Sequence, residues 1–144
     1  MLDTNVVLDW LVFEDPHVQG LRQGVQDKRI SVVTYEPALD ELRHVLTYRQ
    51  FKLDSARQEE VFNLYRAQTL VAALPEGFSL HNLMLPPGFP RCRDRDDQHF
   101  LALAHHAKVD ALVSKDKDLL KLKRRAGKFG VKILSVPQLA EVAG

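Results

Sequence analysis

Asp96-Asp97-Gln98-His99-Phe100-Leu101-Ala102-Leu103-Ala104, followed by Ala111-Leu112-Val113-Ser114-Lys115-Asp116-Lys117-Asp118, is the stretch that decides the fold. Phe100, Leu101, Leu103, Ala104 and Ala107 recur at helical spacing, so 96–108 reads as a helix. Ala111–Val113 is a short apolar run and reads as a strand. A basic helix is expected over 116–126, a strand over 131–134 and a last helix over 137–143. Strands separated by helices imply right-handed crossovers and a parallel sheet covered on both faces. In such sheets, sites form where the carboxyl ends of strands meet helix N-termini.

The upstream sequence fits the same pattern. Residues 2–8 suggest a buried strand end turning into helix. Asp15-Pro16 opens a helix over 15–27, as an N-cap followed by proline at the first helical position. Ile30–Val33 is β-branched and reads as a strand, and 35–49 as a helix with apolar positions at 38, 39, 42, 45 and 46. A capping-box pattern, Ser55 with Gln58, starts a helix over 55–73. Pro75, Pro86, Pro87, Pro90, Gly77 and Gly88 make 75–93 a loop, with one strand at 78–84. The whole predicts one domain over 1–144, an α/β fold built as a three-layer α/β/α sandwich with a central parallel sheet.

Composition narrows the functional classes. The net charge is +1, so any nucleic-acid surface must come from local clustering. A single cysteine, Cys92, excludes an internal disulfide and a cysteine-based zinc site of ordinary ligand count. Met1-Leu2-Asp3 offers no basic leader, and no apolar run approaches the roughly 18 residues that span a bilayer. A soluble, cytoplasmic protein without a membrane partner is expected.

Four acids stand in unusual positions. Asp3 interrupts an apolar segment where the first strand runs out, which suits either a helix cap or an inward-facing acid. Glu41 shares a helical stripe with Ala38, Leu42 and Val45, so it faces the core side, whereas Asp40 falls on the solvated face with Glu36 and His44. An inward carboxylate is costly unless it is paired or binds metal. Asp97 heads the stripe of Phe100, Leu101 and Ala104, in a first turn where the helix dipole favours a carboxylate. Asp94 reads as a loop residue and Asp96 as the N-cap. Asp116 and Asp118 follow a strand, and capping accounts for only one of them. Four segments thus bring acids to one sheet edge, an oxygen-ligand pocket suited to Mg²⁺ or Mn²⁺. Unneutralised, these acids repel one another and some pKa values rise. Thr4, Asn5 and Ser114 lie beside Asp3 and Asp116, where they could orient ligands or simply build turns.

Met1-Leu-Asp-Thr-Asn-Val-Val-Leu-Asp, Glu41-Leu42 with Val45-Leu46, Asp96–Ala104 and Leu112–Leu120 together resemble the four acid-bearing segments of PIN-domain nucleases, in the same order and spacing. The branch looks like the bacterial toxins of type II toxin–antitoxin systems. The resemblance implies Asp3, Glu41, Asp97 and Asp116 as metal-site acids, with Asp118 as an occasional fifth. It implies metal-dependent endonucleolytic cleavage of RNA that leaves a 3′-hydroxyl and a 5′-phosphate. It also implies a homodimer and a cognate antitoxin that blocks the acidic pocket. Two departures stand out: only two residues precede Asp3, where relatives have several more, and the proline-rich 75–93 stretch replaces a more compact connection.

Arg91, Arg93 and Arg95 precede Asp97, and Lys115 and Lys117 flank Asp116. Guanidinium and ammonium groups there would meet the phosphates of single-stranded or loop RNA. Lys121, Lys123, Arg124, Arg125 and Lys128 extend the basic cluster, which otherwise reads as a solvated helix face. Trp10, Phe13 and Phe89 are candidate stacking aromatics, with core or dimer packing as the alternative. His105 and His106 point apart on one helix and are expected at the surface. Two rival readings remain. One is a PIN-like RNA- or protein-binding module without activity. The other is an aspartyl-phosphate enzyme or receiver domain, which needs an acid pair at the first strand; this sequence offers one Asp there, followed by Thr-Asn.

Overall fold

A computed structural model describes residues 1–143; Gly144, the last residue of the expected domain, lies outside the described residues. The chain runs α1 Thr4–Leu11, α2 Gln19–Gln26, β1 Val32–Thr34, α3 Glu36–Val45, α4 Ser55–Ala67, β2 Thr69–Val71, α5 Arg95–Ala107, β3 Leu112–Val113, α6 Lys117–Leu120, α7 Lys123–Gly127, β4 Ile133–Leu134 and α8 Val136–Ala143. Every strand pairing between these elements is parallel. β1 pairs with β2, with Val32 opposite Thr69, and β3 pairs with β4, with Leu112 opposite Ile133. Residues 1–3 lie along the other edge of β3: Val113 N–H donates to the Met1 carbonyl at 2.8 Å, and Asp3 N–H to the Val113 carbonyl at 3.0 Å.

Alternation along these short strands divides the core. Leu2 and Val113 pack with α1, α2, α3 and α4 residues, including Val6, Leu21, Leu42 and Val61. Their neighbours Met1 and Leu112 turn the other way, onto Leu101, Leu119, Ala126 and Ile133. Successive residues of a strand face opposite sides, so the strands carry helices on both faces, as the strand–helix order implies. Close approach shapes one packing contact: a Cβ at Gly24 would stand 2.4 Å from Ile30 Cδ1, so the turn after α2 closes against glycine.

Several local expectations change. The predicted helix over 55–73 ends at Ala67, and Thr69-Leu70-Val71 forms β2 instead. Their β-branched and aliphatic side chains fit a strand, and pairing with β1 satisfies the backbone. The cap of α4 is Asp54, whose carboxylate accepts from Arg57 N–H at 2.8 Å, not Ser55; Gln58 donates to the Leu53 carbonyl instead. Residues 15–27 divide into a 3₁₀ turn at Pro16–Val18 and α2, with Asp15 capping as expected. The strand expected over 78–84 reduces to one bridge between Ser79 and Asn82. The basic helix over 116–126 is two short helices, α6 and α7. His105 and His106 are half-buried rather than surface residues: Phe89 packs on His105, and His106 Nε2 lies 2.7 Å from the Leu83 carbonyl.

A carboxylate cleft at the strand ends

Asp3 caps α1. Its Oδ1 accepts from Val6 N–H at 3.0 Å, and the side chain is buried. Both readings of this residue therefore hold together, because its second oxygen faces away from the helix and accepts from Ser114 Oγ. Ser114 also accepts from Asp116 N–H at 3.0 Å, so one fully buried hydroxyl ties the ends of the first and fourth acid segments. Asp116 caps α6 through Asp118 N–H at 2.8 Å. Thr4 Oγ1 donates to Glu41 Oε2 at 2.7 Å, which links α1 to α3.

Asp97 lies in the first turn of α5. The cap of that helix is Asp94, which accepts from Asp96 N–H at 2.9 Å; this corrects the assignment of Asp96 as cap and Asp94 as loop. An N-cap directly precedes the first helical residue and accepts from the N–H two or three residues on; Arg95 is already helical, so Asp94 takes that place. Gln98 holds the preceding loop in place, accepting from Cys92 N–H at 2.6 Å and donating to the Pro90 carbonyl at 3.1 Å.

One open cavity of about 220 Å³ collects these groups. Asp3, Thr4, Asn5, Glu41, Asp94, Asp96, Asp97 and Asp116 line it, together with Tyr48, Gln50 and Phe51. The four acids singled out by position therefore meet, as do Thr4 and Asn5. Asp94 and Asp96 join them, which the sequence reading missed because it assigned both to local turn chemistry. Asp118 is exposed and does not line the cavity. No carboxylate of the cavity has a basic group within ion-pair distance among the described residues.

The electrostatic consequence appears in the pKa values. Burial raises that of Asp3, against its hydrogen bonds from Ser114 and Val6. Burial also raises Glu41, with Asp96, Asp3 and Asp94 adding repulsion and the Thr4 hydroxyl opposing. Asp97 is pushed up to about 7, first by burial, then by a hydrogen bond with Asp116 and by the charges of Asp116, Asp94 and Asp3. Like charges disfavour ionisation, so Asp97 holds its proton more tightly than an isolated carboxyl group does. The donor set is all oxygen and carries excess negative charge, which fits a hard divalent cation better than a soft one. Among the described residues, no three His, Cys, Asp or Glu side chains already converge as a ligand shell.

The basic residues divide. Lys115 does not face the cleft freely: its Nζ lies 2.7 Å from Asp9 Oδ2, a buried acid of α1 that the sequence reading passed over. Arg91, Arg93, Arg95 and Lys117 are exposed and form no ion pair among the described residues. Of the three aromatics considered from sequence, Trp10 and Phe89 are buried and Phe13 is exposed. No helix of the described residues is long and apolar enough to cross a membrane.

Comparison with known proteins agrees with the geometry. The PIN domain model matches residues 1–118, a span that contains every acid of the cleft. No curated protein and no solved structure matches the chain. The PIN fold is generally a nuclease fold, and its enzymes typically use divalent metals. A family match across most of the chain, parallel strands between helices, and a carboxylate cleft at the strand ends agree: the chain belongs to the PIN domain family.

Proposed function

We propose that this protein is a Mg²⁺- or Mn²⁺-dependent endoribonuclease. The observation that carries the reading is the set of four acids from separate segments, Asp3, Glu41, Asp97 and Asp116, lining one cavity with no basic partner among the described residues. On this reading those four hold the metal, and Asp118, outside the cavity, acts at most through Asp116. A bound divalent ion would supply charge neutralisation at the phosphodiester and a water of lowered pKa.

The residues of the chain have separable roles in that scheme. Ser114 and Thr4 fix the carboxylates of Asp3 and Glu41 through hydrogen bonds, which keeps their remaining oxygens directed at the cleft. Asn5, exposed at the rim, is placed to contact a solvent molecule or a phosphate oxygen. Asp97 binds a proton up to near neutral pH, and a cation entering the cleft would displace it, so loading would release protons. Arg91, Arg93, Arg95 and Lys117 are free to meet backbone phosphates; Lys115 contributes chiefly by neutralising Asp9.

The resemblance to toxins extends the proposal to a toxin–antitoxin pair, in which an antitoxin would fill the acidic cleft, and to a homodimer. RNA cleavage is the deciding experiment. Purified protein should cut RNA in Mg²⁺ or Mn²⁺, leaving 5′-phosphates. EDTA and Asp97→Asn should each abolish cleavage. A folded protein that binds no metal and cuts no single-stranded RNA contradicts the reading and favours a silent binding module.

A further inference from the structure

Part of the wall of the cleft is aromatic. After α3 the chain turns through Tyr48 and a 3₁₀ turn at Arg49–Phe51, closed by Lys52 at φ +52°. Tyr48 and Phe51 line the same cavity as Asp3, Glu41, Asp97 and Asp116. Their rings lie nearly parallel, 10° apart with centroids 6.2 Å apart. Phe13, at the end of α1, leans on Phe51 at 5.7 Å, and His44 meets Tyr48 edge-on at 5.4 Å. Phe51 anchors the group on the core, whereas Tyr48 is 42% exposed and Phe13 51% exposed.

A lone exposed ring is ordinary, but a contiguous group of exposed rings marks an interaction surface. Here they form a short ladder fixed from below, with Arg49 and Lys52 exposed on the same turn. A flat, apolar face beside carboxylates and flanked by cations matches the chemistry of an unpaired nucleotide: a base to stack, a phosphate to neutralise. Paired bases already stack on their neighbours and present no free face. We propose that Tyr48, seated on Phe51, is the platform on which an unpaired base of the RNA stacks next to the scissile phosphate. Tyr48 is then a specificity-determining residue for the single-stranded or looped RNA expected of this nuclease. The proposal rests on the nuclease reading above.

The test uses full-length Asp97→Asn with Mg²⁺ and RNA oligonucleotides carrying 2-aminopurine at successive positions. Emission should change on binding at one position and not at the others. Tyr48→Ala in the same background should remove that change and weaken single-strand binding about tenfold, whereas Tyr48→Phe should retain both. The matching duplex should bind at least roughly tenfold more weakly, with no sensitivity to Tyr48. An unchanged signal in Tyr48→Ala, or equal loss for single strand and duplex, overturns the stacking proposal. So does a Tyr48→Ala chain that shifts from dimer to monomer with RNA affinity intact, since the rings would then pack on a second copy. These failures leave wild-type cleavage standing; RNA that is neither bound nor cut by any form overturns the nuclease reading as well.

Discussion

Two hollows lie at opposite ends of β3 and of residues 1–3, which run beside it. The cleft at the carboxyl ends measures about 220 Å³ and is ringed by acids. The hollow at the amino ends measures about 420 Å³ and is lined by Ile30, Val33, Val109, Leu134, Leu139 and Val142. The larger hollow brings together residues that sit near each other because α2 and α5 end there and β1 and β3 begin there. The smaller one brings together like charges from four segments, which folding alone opposes. Unfavourable assembly, rather than size, marks the site.

A second contrast lies within the acids. Asp9 is buried and meets Lys115 at 2.7 Å, as a structural acid should. Asp97 is half-buried and meets another acid. One carboxylate is neutralised by the protein, and the other is left for something from outside.

The largest effect that could break this comparison is on catalysis. Asp97→Asn should lower kcat for RNA by at least roughly a hundredfold, while the far-UV spectrum stays native. Leu134→Ala, in the wall of the larger hollow, should cost about 2–5 kcal/mol in denaturant unfolding but leave kcat of the folded protein unchanged. If Leu134→Ala proves the more damaging to kcat, the functional assignment of the two hollows is reversed.

Smaller losses sharpen the roles inside the cleft. Ser114→Ala and Thr4→Val each remove a hydrogen bond to a cleft acid and should weaken metal affinity about tenfold, read by Mn²⁺ titration. Asp118→Ala should change cleavage by less than about threefold, its exposed carboxylate lying outside the cavity. Loss comparable to that of Asp97→Asn would place Asp118 among the metal-binding acids.

Stability against pH gives the smallest effect. The folded pKa of Asp97 is raised to about 7, against roughly 4 in the unfolded chain. The folded state therefore binds the proton more tightly. The associated stability is full below about pH 4 and is lost as pH rises through about 7. Metal-free protein should melt at a lower temperature at pH 8 than at pH 5.5. Asp97→Asn should flatten that fall and raise the melting temperature at pH 8. A wild-type profile with the opposite slope, unaltered by Asp97→Asn, removes repulsion in the cleft as the cause.

The sequence was informative where periodicity and acid position agreed. Glu41 and Asp97 stand out because their stripes are otherwise apolar, and both line the cleft. β3, β4 and α5 follow from short apolar runs and a strong helical repeat. β2 escaped because three residues beside a helix end carry little periodicity, and their strand identity comes from pairing with β1. Asp54 and Asp94 escaped as caps because neighbouring Ser55 and Asp96 are equally good capping residues, and only backbone geometry separates them. The Asp9–Lys115 pair spans most of the chain and has no local signature. Tyr48 and Phe51 were hidden for the same reason: their value lies in lining one cleft with acids from distant segments.

Calorimetric titration of wild-type protein with Mn²⁺ near pH 7.5 is the most direct test that the unpaired acids form a cation site. Saturable binding with net proton release is expected, weakened at least roughly tenfold by Asp97→Asn. Wild-type protein that shows no saturable heat, or that binds no better than Asp97→Asn, would contradict it.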